Sequence, residues 1–159
     1  MRNDQAHAIA ADAVNAAEFS HLGVVAAASA IRTGEMSAET YVSVLLDRAR
    51  SMEDLRAFIT LNPDEALGDA READKAHAKG LEAPLLGVPL GIKDSYLTAG
   101  LHTTLGVGAL KDFRPTEDAQ AVATLKKAGA IVLGKNNLVE LSYGLTGENG
   151  SYGQVGNPY

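Results

Sequence analysis

At Gly80 the apolar residues change their period, from that of a helix to that of a strand. Before it, Leu22, Val25, Ala26 and Ile31 share one helical face, with Ser20 placed to cap and Gly34 to stop the helix. Ser37 is the next N-cap candidate, followed by Tyr41, Val42, Leu45, Leu46 and Ala49 at helical spacing. Asn62-Pro63-Asp64-Glu65 puts proline at a first helical position with acids in the first turn. Ala66, Leu67, Ala70 and Ala73 then form a narrow stripe that closes at Lys79 and Gly80. The Ala-rich residues 3–17 read as one more helix. Beyond Gly80, Val88, Leu90 and Ile92 alternate with Pro89, Gly91 and Lys93, the period of a strand. Thr116 to Lys127 reads as a helix, Ala130 to Leu133 as a short buried strand, and Asn137 to Tyr143 as a short helix. Helices first, then strand, helix, strand, helix, predict an α/β fold. We read residues 1–159 as a single domain portion, with a helical region over 1–80 and an α/β region over 81–159.

Composition narrows the function. The 159 residues suffice for one core and fall short of two full-sized domains. Fourteen Lys and Arg against 20 Asp and Glu leave a net charge of −6, against nucleic-acid binding and anionic membrane docking. There is no cysteine, hence no thiolate chemistry and no zinc ribbon. His7, His21, His77 and His102 show no metal-ligand spacing, so no metal or cofactor is expected. The start of the chain lacks the basic and apolar segments of a signal peptide, and no apolar run is long enough to span a bilayer. A cytoplasmic protein is the expectation.

Two motifs are decoys. Gly129-x4-Gly134-Lys135-Asn136 approaches a Walker A loop, but Asn136 replaces the hydroxyl residue and Ala130-Ile131-Val132-Leu133 is a strand core. Glycine at 144, 147, 150, 153 and 156 has a period of three without collagen's proline content, and reads as a loop of close approaches.

Lys93 ends an apolar strand-like segment, Gly87-Val-Pro-Leu-Gly-Ile-Lys-Asp94. A lysine reaching inward there would lose charge stabilisation by burial, and its lowered pKa would make it a usable base. The plainer alternative is a lysine paired with Asp94 at a strand end.

Residues 84–159 resemble the amidase signature family. The resemblance rests on Pro84-Leu-Leu-Gly-Val-Pro-Leu-Gly-Ile-Lys-Asp94, Thr103-Thr104, Gly106, Asp118-Ala119, Ala128-Gly129-Ala130 and Gly134-Lys135-Asn136-Asn137. It continues through Glu140-Leu-Ser-Tyr-Gly144, Asn149 and Tyr152-Gly-Gln-Val-Gly-Asn-Pro158. The resemblance implies that family's fold, here incomplete: N-terminal helices followed by part of a mixed β-sheet flanked by helices. It implies a catalytic unit of a Lys, a Ser on a cis peptide bond and a nucleophilic Ser, with Lys93 as the Lys. Ser142, Tyr143 and Gly144 match positions that line the acyl pocket in relatives. Asn136 stands where most of the family has Thr, a feature more like the mandelamide and indoleacetamide hydrolases than the transamidosome component.

The family's two serines fall past Tyr159, so the expectation is the N-terminal portion of a longer amidase, inactive alone. The complete enzyme would hydrolyse a small arylalkyl carboxamide to acid and ammonia. The alternatives are the glutaminase-type subunit of a tRNA-dependent amidotransferase and a non-catalytic interaction module. The expected partners are the amide substrate and the remainder of the polypeptide or another copy of the chain, as in a homo-oligomer.

Overall fold

The computed structural model describes residues 19–159, so the helix expected over 3–17 lies outside the described residues. Helix α1 (Val24–Thr33) is N-capped at Gly23 rather than at Ser20, and Gly34 ends it in the left-handed conformation with φ 75°. Ser20 serves a tertiary contact instead: its carbonyl and hydroxyl accept from Arg48 at 2.6 and 3.2 Å. Helix α2 (Ala38–Ser51) does begin at Ser37, whose hydroxyl accepts from the Thr40 amide at 3.0 Å. A second cap comes from far away in sequence. The Asp74 carboxylate accepts from the Ala38 and Glu39 amides at 2.8 and 3.1 Å, placing an anion at the positive end of α2.

A strand, β1 (Phe58–Leu61), interrupts the region read as helical. Four residues are too few to display a period, and tertiary pairing makes the element: β1 runs antiparallel to β3 (Ile131–Asn136). Helix α3 (Pro63–Ala78) follows, with proline in its first turn and Ala66, Ala70 and Ala73 buried. Strand β2 (Pro89–Lys93) runs parallel to β3, so the sheet is mixed, with order β1-β3-β2. Between β2 and β3 the chain crosses over through α4 (Gln120–Lys127).

The sheet separates two apolar clusters. Ile131 and Leu133 pack with Val88, Val42, Leu46 and the small residues of α1–α3. Val132 and Ile92 pack on the opposite face with Val122 of α4 and Leu101. This alternation along β3 is the strand period acting on a sheet covered on both faces. Gly129 makes the turn into β3 possible: its φ is 95°, and a Cβ there would press on the Leu86 backbone.

Three element boundaries differ from the sequence reading. Helix α4 starts at Gln120 rather than Thr116, because Asp118 turns away to accept from the Ala99 amide at 2.8 Å and from Lys126 at 2.9 Å. Strand β3 extends through Gly134-Lys135-Asn136, so the near-Walker sequence is strand. The helix expected over Asn137 to Tyr143 is a single 3₁₀ turn, Glu140–Ser142, in which Leu141 and Ser142 have φ 54° and 59°. The backbone there bonds other segments: the Leu141 amide donates to the Leu105 carbonyl at 2.8 Å. No helix of the described residues is long and apolar enough to cross a membrane.

Candidate active site at the end of the second strand

Lys93 is the last residue of β2, in register with Asn136 on β3. Both belong to the face that Gly91 also occupies, and the Asn136 amide fills the space a Cβ at Gly91 would need. Glycine at 91 is therefore what lets Asn136 lie beside the Lys93 strand end. The Lys93 side chain is exposed in this chain, rather than turned inward as the sequence suggested.

The buried lysine is Lys135, and it lies on the opposite face. Its side chain is 0% exposed and its Nζ sits 3.0 Å from Oδ1 of Asp94, itself 0% exposed. The partner anticipated for Lys93 thus belongs to Lys135. Beside this ion pair, Nζ donates to the Tyr96 carbonyl at 2.9 Å and to the Thr103 hydroxyl at 2.7 Å. Burial pushes the Lys135 pKa down, and the hydrogen bond and charge of Asp94 oppose that shift. The sequence reading gave Lys135 no role of its own, taking Gly134-Lys135 as a failed phosphate loop and as one stretch of the family resemblance. A charged residue inside an otherwise apolar strand pattern was the available signal.

Asp94 carries the network onward. Its Oδ2 accepts from the Thr104 amide and hydroxyl at 2.8 and 2.6 Å, and its carbonyl accepts from the Leu105 amide at 3.2 Å. The Thr104 hydroxyl accepts in turn from the Gly106 amide at 3.1 Å. Asn149, also buried, donates to the carbonyls of Gly106 and Leu138 at 2.9 and 2.8 Å. Residues that looked like separate motif fragments in the sequence form one polar chain from the strand ends to the 149–152 turn.

Through it the structure joins the Lys93 strand end to the segment holding Ser142, Tyr143 and Gly144. Tyr143 is 92% exposed and lines an open depression of about 640 Å³ with Val139, Glu140, Leu141 and Glu148. Ser142 and Gly144 do not line that depression. Gly144 has φ 156°, and Ser142 and Leu141 are non-glycine residues in the left-handed region, which marks the turn as held by its surroundings. Among the described residues no group of three His, Asp or Glu side chains could hold a metal ion.

A basic residue at a strand end, backed by a buried polar network and joined to a strained exposed turn, is the kind of constellation that carries proton-transfer chemistry. The Amidase family model matches residues 40–159, and the chain belongs to that family, the amidase-signature proteins. It is 41% identical over 143 residues to a glutamyl-tRNA(Gln) amidotransferase subunit of Desulforapulum autotrophicum, covering 89% of this chain and 29% of that protein. Among solved structures, the peptide amidase of Stenotrophomonas maltophilia superposes with a TM-score of 0.79 at 38% identity, over 87% of this chain and 30% of that one. An amidase family protein from Bacillus anthracis gives a TM-score of 0.83 at 32% identity, over 95% and 32%. The chain thus spans about a third or less of the length of these relatives.

Proposed function

We propose that this chain supplies the general base of an amide hydrolase, and that Lys93 is that base. The carrying observation is the place of Lys93 at the open end of β2, on the sheet face away from Asp94 and Lys135. The nucleophilic serine, the serine that relays its proton and the oxyanion donors come from polypeptide outside these 159 residues. When that polypeptide covers Lys93, it removes water from the ammonium and favours the neutral amine. Neutral Lys93 then takes a proton from the relay serine, which deprotonates the nucleophile for attack on the amide carbonyl. The proton returns to the leaving ammonia, and water hydrolyses the acyl-enzyme. Residues 1–159 alone hold a base with neither nucleophile nor oxyanion donors, and by this reading do not turn over amides.

The substrate is a primary carboxamide. The arylalkyl class rests on Asn136 beside Gly91 and on Tyr143, an exposed aromatic available to an acyl group. A second reading, glutaminase within an amidotransferase, is favoured by the identity to glutamyl-tRNA(Gln) amidotransferase proteins. Turnover of phenylacetamide without partner proteins supports the first; glutamine hydrolysis dependent on partner proteins supports the second. In either case Lys93→Ala in the assembled enzyme should lower kcat by at least about 10³-fold with the fold intact, as loss of an essential base does. Turnover within a few-fold of wild type would remove the assignment.

A further inference from the structure

The buried ion pair Asp94–Lys135 lies behind the strand end that presents Lys93, and its cost needs a reason. Two desolvated charges give little net stability over apolar residues of the same shape. Both side chains are 0% exposed, and methionine is an unbranched apolar side chain of length similar to that of Lys135.

What the pair does is geometric. Lys135 ties three separate pieces of chain to β3: Asp94 at the end of β2, the carbonyl of Tyr96 in the following turn, and Thr103 in the next loop. Backbone bonds at Asp94 and Tyr96 tie these residues in turn to β3 and to Lys93. The Asp94 amide donates to the Asn136 carbonyl at 3.1 Å, and the Tyr96 amide donates to the Lys93 carbonyl itself at 3.0 Å. Lys93 therefore projects from backbone followed by two residues, Asp94 and Tyr96, that a single ammonium group holds. A lysine side chain has four rotatable bonds, and the reach of its amine is only as well defined as the backbone it starts from.

The geometry points to Lys135 as a positioning residue for Lys93: through Asp94, Tyr96 and Thr103 it fixes the backbone from which the proposed base acts. This rests on the reading of Lys93 as the base. It gives the buried pair a role in kcat rather than in substrate binding, because a displaced base misses the proton it must remove.

The test is made in the assembled enzyme with the double variant Lys135→Met/Asp94→Asn, which keeps the side-chain shapes and leaves no buried charge unpaired. It should melt close to wild type, retain KM within about threefold and lose about 10²-fold in kcat, the cost of a base displaced by about 1 Å. Amide hydrogen exchange at Lys93 to Tyr96 should quicken at least about tenfold, while β3 stays protected. A folded double variant with wild-type kcat would overturn the inference. If the double variant does not fold, Thr103→Val decides: it removes one acceptor of the Lys135 ammonium and no charge. A fall in kcat of about fivefold to tenfold in a folded variant, with KM unchanged, supports the role, and an unchanged kcat overturns it. Lys93→Ala in the same assay separates the base from its positioning. If that variant is inactive and the double variant fully active, only the positioning role fails. If it remains active, both fail.

Discussion

Two lysines at neighbouring strand ends meet opposite fates, and burial decides between them. Lys93 follows the alternation of β2 onto the exposed face, while Lys135 sits in a register position among apolar residues and must find its acceptors inside the protein. Asp118 illustrates the same accounting with a carboxylate. Burial pushes its pKa up, but hydrogen bonds from Lys126 and the Ala99 amide, with the Lys126 charge, hold it below the usual carboxylate range. A carboxyl whose folded pKa is depressed binds fewer protons folded than unfolded, so its contribution is complete above the ordinary carboxylate range and is lost as pH falls through the folded value. Asp118→Asn should therefore destabilise the protein by about 1–2 kcal/mol at neutral pH, the worth of charge-assisted hydrogen bonds at a partly shielded site. Urea titrations at a series of pH values should show this gap closing in acid. A gap of constant size across that range would mean that the carboxylate charge plays no part.

At the scale of elements, the best anticipated helices are those that carry their own stop and start signals. Ser37 caps α2, Gly34 ends α1 and Pro63 opens α3, all through bonds within a few residues, and all three were legible in the sequence. Where the signal residue is claimed from a distance, the reading shifts, as at Ser20 and at Asp118. The long-range cap of α2 by Asp74 had no local signature. Asp74→Ala leaves the Ala38 and Glu39 amides without their anion and should cost about 1–2 kcal/mol, read as a lowered urea midpoint with an unchanged slope. Asp74→Asn, which can still accept one of those bonds, should recover part of the loss. Equal stability of the alanine variant and wild type would show that solvent satisfies the α2 terminus as well as the carboxylate does.

For the molecule as a whole, β1 and β2 are the two edges of the sheet, and β3 alone is paired on both sides among the described residues. An apolar groove of about 430 Å³, lined by Leu45, Met52, Leu55, Phe58 and Leu61 among others, opens alongside β1. Tyr143, Leu145 and Tyr159 stand out fully or almost fully into solvent. Open strand edges and exposed apolar residues together favour association. Light scattering on the isolated chain should therefore detect species larger than a monomer, and hydrogen exchange should find the outward amides of β2 unprotected. A dispersed monomer with strong protection along all of β2 would mean that these residues close their own core, and would favour the interaction-module reading. Order along the chain was enough to set the helical caps, the α/β succession, the strand that ends in Lys93 and the lack of thiol chemistry in these residues, because each depends on a residue and its near neighbours. Folding in three dimensions was needed to make Phe58–Leu61 a strand, to assign Asp94 to Lys135, and to join Thr103, Thr104, Gly106 and Asn149 in one network. Those outcomes depend on which groups lose their water together when the sheet and its loops close, and that is fixed only by contacts between residues far apart in the chain.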